Sequence, residues 1–372
     1  MITMADILRS YGPAYVARYG ANMLPSHQRV INDIIRCRTE ALGGHVYKCT
    51  EHDQYDYKFH SCMNRHCPQC QNDQATKWLQ NERRRLLNVR YFLVTFTVPK
   101  ELRSLARANQ KLFYRLLFSE SWRAMSRLAR NPRWLGGLIG ALGVLHTWTR
   151  VMIYHPHVHY LVPAGGLKDD NSVWVKTQDK FFLPVKALSR VFRAMLRDAL
   201  RQAEPALFSS IPSSVWRKEW VVHSMSAGDG EAVLKYLAPY VFRVAISNKR
   251  IVKLENGRVT FLYRHPDTQR WTPMTLDVFE FIRRFLQHVL PRGLKKVRHF
   301  GFLASRSKQL LARLQYALGT VENESEDEAT VSDSHVPRCP VCGKPMILLE
   351  IVPPGGFQLR MKRPTRATAL SP

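Results

Sequence analysis

Five of the seven cysteines fall within 34 residues, at Cys37, Cys49, Cys62, Cys67 and Cys70, interleaved with His52, His60 and His66. No feature restricts the fold of this 372-residue chain more. An odd number of thiols clustered with imidazoles reads as metal ligation in a reducing compartment, not as a disulfide framework. Cys49-x2-His52 and Cys67-x2-Cys70 are two chelating pairs separated by fourteen residues, the spacing of a ribbon-like or finger-like structural Zn²⁺ site. Cys37, Cys62 and His66 are left over and are candidates for a second zinc site or competitors for the first. Near the other end, Cys339-x2-Cys342-Gly343 is half of a zinc knuckle, with His335 nearby and no second pair after it.

Charge narrows the choice of partner. Lys and Arg total 56 against 29 Asp and Glu, a formal charge of +27, which implies a polyanion. Arg65 inside the cysteine cluster, and Arg83, Arg84 and Arg85 just after it, are candidate phosphate contacts, although a run such as NERRR is also the usual make-up of a solvated helix face. Trp78, Trp122, Trp134 and Trp148 are candidates to stack on unpaired bases or, more ordinarily, to pack helices. The longest weakly polar run, residues 136–145, is too short to cross a bilayer. No secretory signal is visible, so a cytoplasmic protein is expected.

The middle of the chain alternates strand-like and helix-like stretches. Tyr91 to Val98 (YFLVTFTV) is β-branched and aromatic and stops at Pro99. Residues 101–130 read as helix. Residues 141–153 and 157–163 read as two strands joined by a turn around Pro156. Leu188, Val191, Phe192, Met195, Leu196, Ala199 and Leu200 have helical spacing, residues 219–223 form a short strand, and residues 229–243 form a helix. The order suits an α+β fold of the split βαβ type, an antiparallel sheet with covering helices, preceded by a small helical and zinc-binding module. The expected divisions are 1–90 for that module, 91–318 for the sheet domain, 319–336 for an acidic linker and 337–372 for a tail carrying the half knuckle and the basic run RMKRPTR.

Two constellations carry chemistry. His157 and His159 alternate on one strand and so share a face. His146 lies eleven residues earlier; if its strand pairs with theirs, it supplies a third imidazole, with His155 as a rival. Three imidazoles make a site for a divalent cation with open positions for a phosphate oxygen. Tyr236 and Tyr240 are four apart and, on a helix, form one face with Arg243. Pro239 lies between them and is expected to kink the helix.

Taken in this order, RCRTEALGGHVYKC, SCMNRHCPQCQ, LHTW, HPHVHYLVPAGGL, YLAPYVFRVAISNKRI and LPRGLKKVRHFG resemble the bacterial rolling-circle insertion-sequence transposases of the insertion-sequence-ninety-one family, over most of residues 20–310. The resemblance implies a zinc-binding N-terminal module followed by an HUH endonuclease domain. Its histidine pair falls on His157 and His159, its two nucleophiles on Tyr236 and Tyr240, and the third ligand is assigned to His146. It further implies Mg²⁺ or Mn²⁺ at the nuclease site, single-stranded nicking at element ends through 5′-phosphotyrosine links, and strand transfer to target DNA, near the bacterial nucleoid. A replication initiator or relaxase uses the same chemistry, but a relaxase commonly carries a helicase, and no GxxxxGK[ST] loop is present. A non-catalytic zinc protein that binds DNA is the other alternative.

Overall fold

The structure is a computed structural model that describes residues 1–70, 72–168, 173–178, 180–242, 245–319 and 336–356. It divides into two compact units: residues 1–70 with the C-terminal residues, and residues 72–319. The division falls earlier than the expected 90, because the helix that starts at Asn72 packs within the second unit, and the tail is not separate but folds with the first. The acidic stretch 321–333, His335, the basic run 360–366 and Arg243 lie outside the described residues.

In the first unit, helices α1 (Met4–Tyr19) and α2 (Pro25–Arg36) pack on each other. Thr3 and Asp6 close a reciprocal capping box on α1, and Pro25 opens α2, where its missing N–H costs nothing. Ile31 and Ile34 are buried on the inner face of α2. Strands β1 (Gly44–Lys48) and β2 (Tyr55–Phe59) form an antiparallel hairpin. The C-terminal strand Ile347–Val352 adds to the free edge of β1, making a three-stranded sheet.

The second unit is built on a five-stranded antiparallel sheet from β3 (Tyr91–Thr97), β4 (Ala141–Trp148), β5 (Tyr154–Pro163), β6 (Val222–Ser226) and a later strand, Val297–Phe300, in the spatial order Val297–Phe300, β4, β5, β3, β6. The chain order strand, helix, strand, strand, helix, strand, helix is the one expected, and the class is α+β. Two positions differ. The β4–β5 turn lies at residues 149–153, with Met152 at φ +59°, and Pro156 sits within β5. The register slips there, with Trp148 opposite Tyr154 and His146 opposite His157, so β5 carries one extra residue, a bulge that tolerates a residue lacking an N–H. The short strand after the second long helix runs from Val222, three residues later than expected.

Alternation along the strands sends two residue sets to opposite faces. Val94, Phe96, Leu145, Val158, Tyr160 and Val162 face α4 (Gln110–Arg130) and α5 (Val185–Ala203), whose Phe113, Leu117, Phe118, Leu188, Phe192 and Leu196 complete the main core. On the other face Tyr91, Leu142, Val144 and Leu161 pack against Leu234 and Leu237 of α6 (Glu231–Phe242), with Trp78 and Leu79 of an earlier helix, α3 (Asn72–Arg83). A buried Glu82 on that earlier helix reaches His299 of the edge strand, 2.9 Å from Oε2 to Nε2. Residues 251–277 form a separate three-stranded antiparallel sheet.

Candidate functional site

The register of the central sheet assembles the three histidines. His146 stands directly opposite His157, and Val144 opposite His159, so all three imidazoles emerge on one face from two adjacent central strands. Their ring nitrogens lie within 4.8 Å of one another, and the His146 and His159 ring centroids are 4.4 Å apart. Each ring is held by a neighbour. His157 Nδ1 donates to the His155 carbonyl at 2.7 Å, which fixes the proton there and leaves Nε2 as the ligand atom. His159 Nδ1 lies 2.9 Å from the Thr95 hydroxyl, opposite it on β3. His146 stacks on Trp148 at 5.4 Å, and the buried Lys296 places its Nζ 4.6 Å from the centre of the Trp148 ring. Burial holds His157 down to about 4 and His146 and His159 well below the usual imidazole range; repulsion from His157 adds to the effect at His159, and repulsion from His159, His157 and Lys296 adds to it at His146. All three are therefore neutral near pH 7, the form that ligates metal. Three neutral, oriented imidazoles whose ligand atoms converge within 4.8 Å fit a divalent cation. The rival, His155, is outside this group: its Nδ1 accepts from Arg103 Nε at 3.1 Å.

The tyrosine helix lies on the same face as the histidines. Leu234 and Leu237 anchor α6 onto Leu142, Val144 and Leu161, each two residues from a site histidine or from such a neighbour along its strand. Tyr236, between those anchors, is 47% exposed. The helix is set in place by a tight entry: Asp229 Oδ1 accepts from Glu231 N at 3.0 Å, and Gly230 adopts φ +85° with a Cβ position 2.7 Å from the Tyr91 ring, so only glycine fits. Glu231 pairs with Arg83 at 2.9 Å. The helix continues through Pro239 to Phe242. Tyr240 lies on it, but its side chain, like Arg243, is outside the description.

Cysteine geometry departs from the expected grouping. The sulfurs of Cys37, Cys62, Cys67 and Cys70 form one cluster: Cys37 lies 3.5 Å from Cys70 and 3.6 Å from Cys67, and Cys62 lies 3.6 Å from Cys70. Cys49 and His52 are not part of it. They meet Cys339 and Cys342 instead, so the expected quartet Cys49, His52, Cys67 and Cys70 is split between two groups. Spacing identified the chelating pairs but could not say which pairs meet. His66 is in neither group; it is buried with Nδ1 3.0 Å from Asn64 Oδ1. In the four-thiol cluster, hydrogen bonds from Cys37, Cys62 and Cys67 hold Cys70 well below the ordinary thiol range, while Cys62 and Cys67 are pushed up by the same crowding. Four sulfurs this close match the edges of a tetrahedral zinc ion, which would hold all four as thiolates, so the cluster supports a structural zinc site.

The arginines have different surroundings. Arg65 and Arg84 are exposed. Arg83 is engaged by Glu231, and Arg85 by Glu82, at 3.7 Å, and by the Leu303 carbonyl, which takes Arg85 largely out of play as a phosphate contact. Trp122, Trp134 and Trp148 pack against other side chains: Trp122 stacks on Phe300 at 4.9 Å, Trp134 borders the main core and Trp148 is buried. Trp78 is packed beside α6. Lys296 was not singled out in the sequence; its only signal there was the Lys295–Lys296 pair in a segment that carries the resemblance.

Comparison with known proteins agrees with the geometry. Residues 7–98 match the family described as "Transposase zinc-binding domain", the type found in IS91 elements, and residues 140–310 match the family described as "Putative transposase". The first match contains the four-thiol cluster; the second contains the histidine trio and the tyrosine helix. The chain therefore belongs to the IS91 family of transposases, enzymes that process DNA. It is 39% identical to "Putative transposase y4qJ" of Sinorhizobium fredii (strain NBRC 101917 / NGR234), over 94% of this chain and 95% of that one. It is 28% identical to "Transposase for insertion sequence element IS801" of Pseudomonas savastanoi pv. phaseolicola, over 81% of this chain and 80% of that protein. No solved structure matches. Among the described residues, no helix is long and apolar enough to cross a membrane.

Proposed function

We propose that this transposase is a two-tyrosine nuclease that nicks single-stranded DNA at the ends of its element and passes the strand to a target by a rolling-circle route. The observation that carries the reading is the placement of three neutral, oriented imidazoles on the sheet face that α6 covers. His146, His157 and His159 would hold the cation, Mg²⁺ or Mn²⁺. When bound, it supplies Lewis-acid polarisation of the scissile phosphate and offsets its charge. Thr95 and the His155 carbonyl keep two of the rings aimed.

Tyr236 is the nucleophile whose side chain the structure describes. Its oxygen attacks phosphorus as the phenol gives up its proton; the bond from phosphorus to the 3′-oxygen breaks, and that oxygen leaves as a 3′-hydroxyl. The protein then carries a 5′-phosphotyrosine, and because one phosphate ester replaces another, the link can be transferred without ATP. A 3′-hydroxyl from a second strand reverses the step and frees the phenol. Tyr240, four residues on in the same helix, would take the second end. Exposed Arg65 and Arg84 supply positive charge for the DNA backbone, and Arg243 is a further candidate.

A labelled single-stranded oligonucleotide carrying an element end tests this. It should form an adduct that survives SDS, requires Mg²⁺ or Mn²⁺ and disappears in the Tyr236→Phe, Tyr240→Phe double variant. An adduct that persists in the double variant would place the nucleophile elsewhere.

A further inference from the structure

The second cysteine group draws on both ends of the chain. Cys49 and His52 lie in the turn between β1 and β2, and Cys339 and Cys342 lie in the turn that leads into Ile347–Val352. Because Lys48 pairs with Tyr55 on one side and Ile347 on the other, both turns emerge at the same end of the three-stranded sheet. Cys49 Sγ is 3.7 Å from Cys342 Sγ and 3.6 Å from His52 Nδ1, and Cys339 Sγ is 3.9 Å from His52 Nδ1. All four ligand atoms lie within 4.8 Å of one another. A tetrahedral zinc with Zn–S near 2.3 Å and Zn–N near 2.05 Å requires edges of about 3.8 Å between sulfurs and about 3.5 Å between sulfur and nitrogen. The spacing matches that requirement, and no disulfide competes for these thiols.

The backbone around each pair is that of a metal-binding knuckle. Glu51 N–H points at Cys49 Sγ, at 3.4 Å, and Cys49 N–H donates to the Gln54 carbonyl. In the other turn Cys339 N–H donates to the Lys344 carbonyl, and Gly343, at φ +70°, returns its N–H to the Cys339 carbonyl at 2.8 Å. An ion pair between Lys344 and Glu51 joins the two turns. Cys339 is buried with Cys49 and Met346 in a small cluster of its own.

We propose that Cys49, His52, Cys339 and Cys342 bind a second structural zinc ion, separate from the four-thiol site, and that this ion fastens the C-terminal tail to the N-terminal unit. The half knuckle at Cys339 is completed from the other end of the sequence. This assignment stands whether or not the nuclease reading holds, since neither histidine trio nor tyrosine takes part.

The test is zinc content of the full-length protein by elemental analysis, in a His157→Ala, His159→Ala background so that the nuclease site does not contribute. Two zinc ions per chain are expected, falling to one in Cys339→Ser, Cys342→Ser. The His52→Cys variant, which keeps four soft ligands, should retain both. X-ray absorption at the zinc edge guards against a variant that fails to fold: the unaltered quartets predict seven sulfurs and one nitrogen shared between the two ions. One zinc per chain in the parent, a shell of sulfur alone, or an unchanged count after loss of Cys339 and Cys342 would overturn the proposal.

Discussion

The entry to α6 offers a sharp test of how the tyrosine helix is held. Gly228 and Gly230 both have positive φ, +66° and +85°, in the same loop. An added Cβ at Gly228 meets nothing within 4 Å, whereas at Gly230 it falls 2.7 to 3.0 Å from three atoms of the buried Tyr91 ring. Gly228→Ala should therefore cost only the left-handed backbone penalty, about 1 kcal/mol. Gly230→Ala carries the same penalty plus the overpacking of a closed core site, about 1–3 kcal/mol, for a total of about 2–4 kcal/mol. Urea unfolding of the two variants, monitored by circular dichroism, gives the difference directly, and unchanged m-values would license the comparison. Because the loop runs straight into the tyrosine helix, Gly230→Ala should also lower DNA-adduct formation at temperatures where the protein remains folded, while Gly228→Ala should not. Equal costs at the two positions would refute the claim that Tyr91 closes on the loop and sets the helix.

Three further outcomes follow from the site and the zinc cluster. His157→Ala and His159→Ala should each abolish cleavage while leaving oligonucleotide binding by gel shift nearly intact, and Thr95→Val, which removes only the hydroxyl beside His159 Nδ1, should lower activity by about 10- to 100-fold; equal loss of binding and cleavage would point to a structural role. Cys67→Ser should lower zinc content and loosen the first unit, read by elemental analysis and by protease sensitivity; unchanged zinc rejects the site. His288 is fully buried, donates Nε2–H to the Met152 carbonyl and meets the Thr147 hydroxyl through Nδ1, and burial holds it near pKa 3. A folded-state value below the unfolded value of about 6.5 means that its contribution is complete above pH 6.5 and is lost as pH falls toward 3, on the order of a few kcal/mol in all. The unfolding midpoint in urea should fall between pH 7 and pH 5, and the fall should be shallower in His288→Asn; a parallel fall in the two proteins would remove His288 from the explanation.

Local periodicity made the histidine face legible. The His-x-His alternation places His157 and His159 together whatever lies around them, and the short interval to His146 made it a third ligand on the condition that its strand pairs with theirs; the register that sets His146 opposite His157 came only with the turn at residues 149–153. The bulge at Pro156 could not be read in advance, because it depends on which residues of β4 stand opposite. The zinc ligands failed for a related reason: a Cys-x2-Cys pair specifies a knuckle, but the partner knuckle is chosen by strand pairing, here between β1 and a strand some 300 residues later. Leu234 and Leu237 show helical spacing in the sequence, yet which face of the sheet they cover is a tertiary fact. The buried Glu82 and Lys296 look like surface charges in a basic chain, and only the contacts with His299 and Trp148 give them a place.

The pairing of β1 with Ile347–Val352 has a bearing on how the protein is made. The hairpin β1–β2 leaves the ribosome well before Ile347–Val352 does, so its open edge stays without its neighbour until that distant strand has been made. A gene copy interrupted by a stop codon before residue 347 would therefore damage the beginning of its product as well as shorten the end.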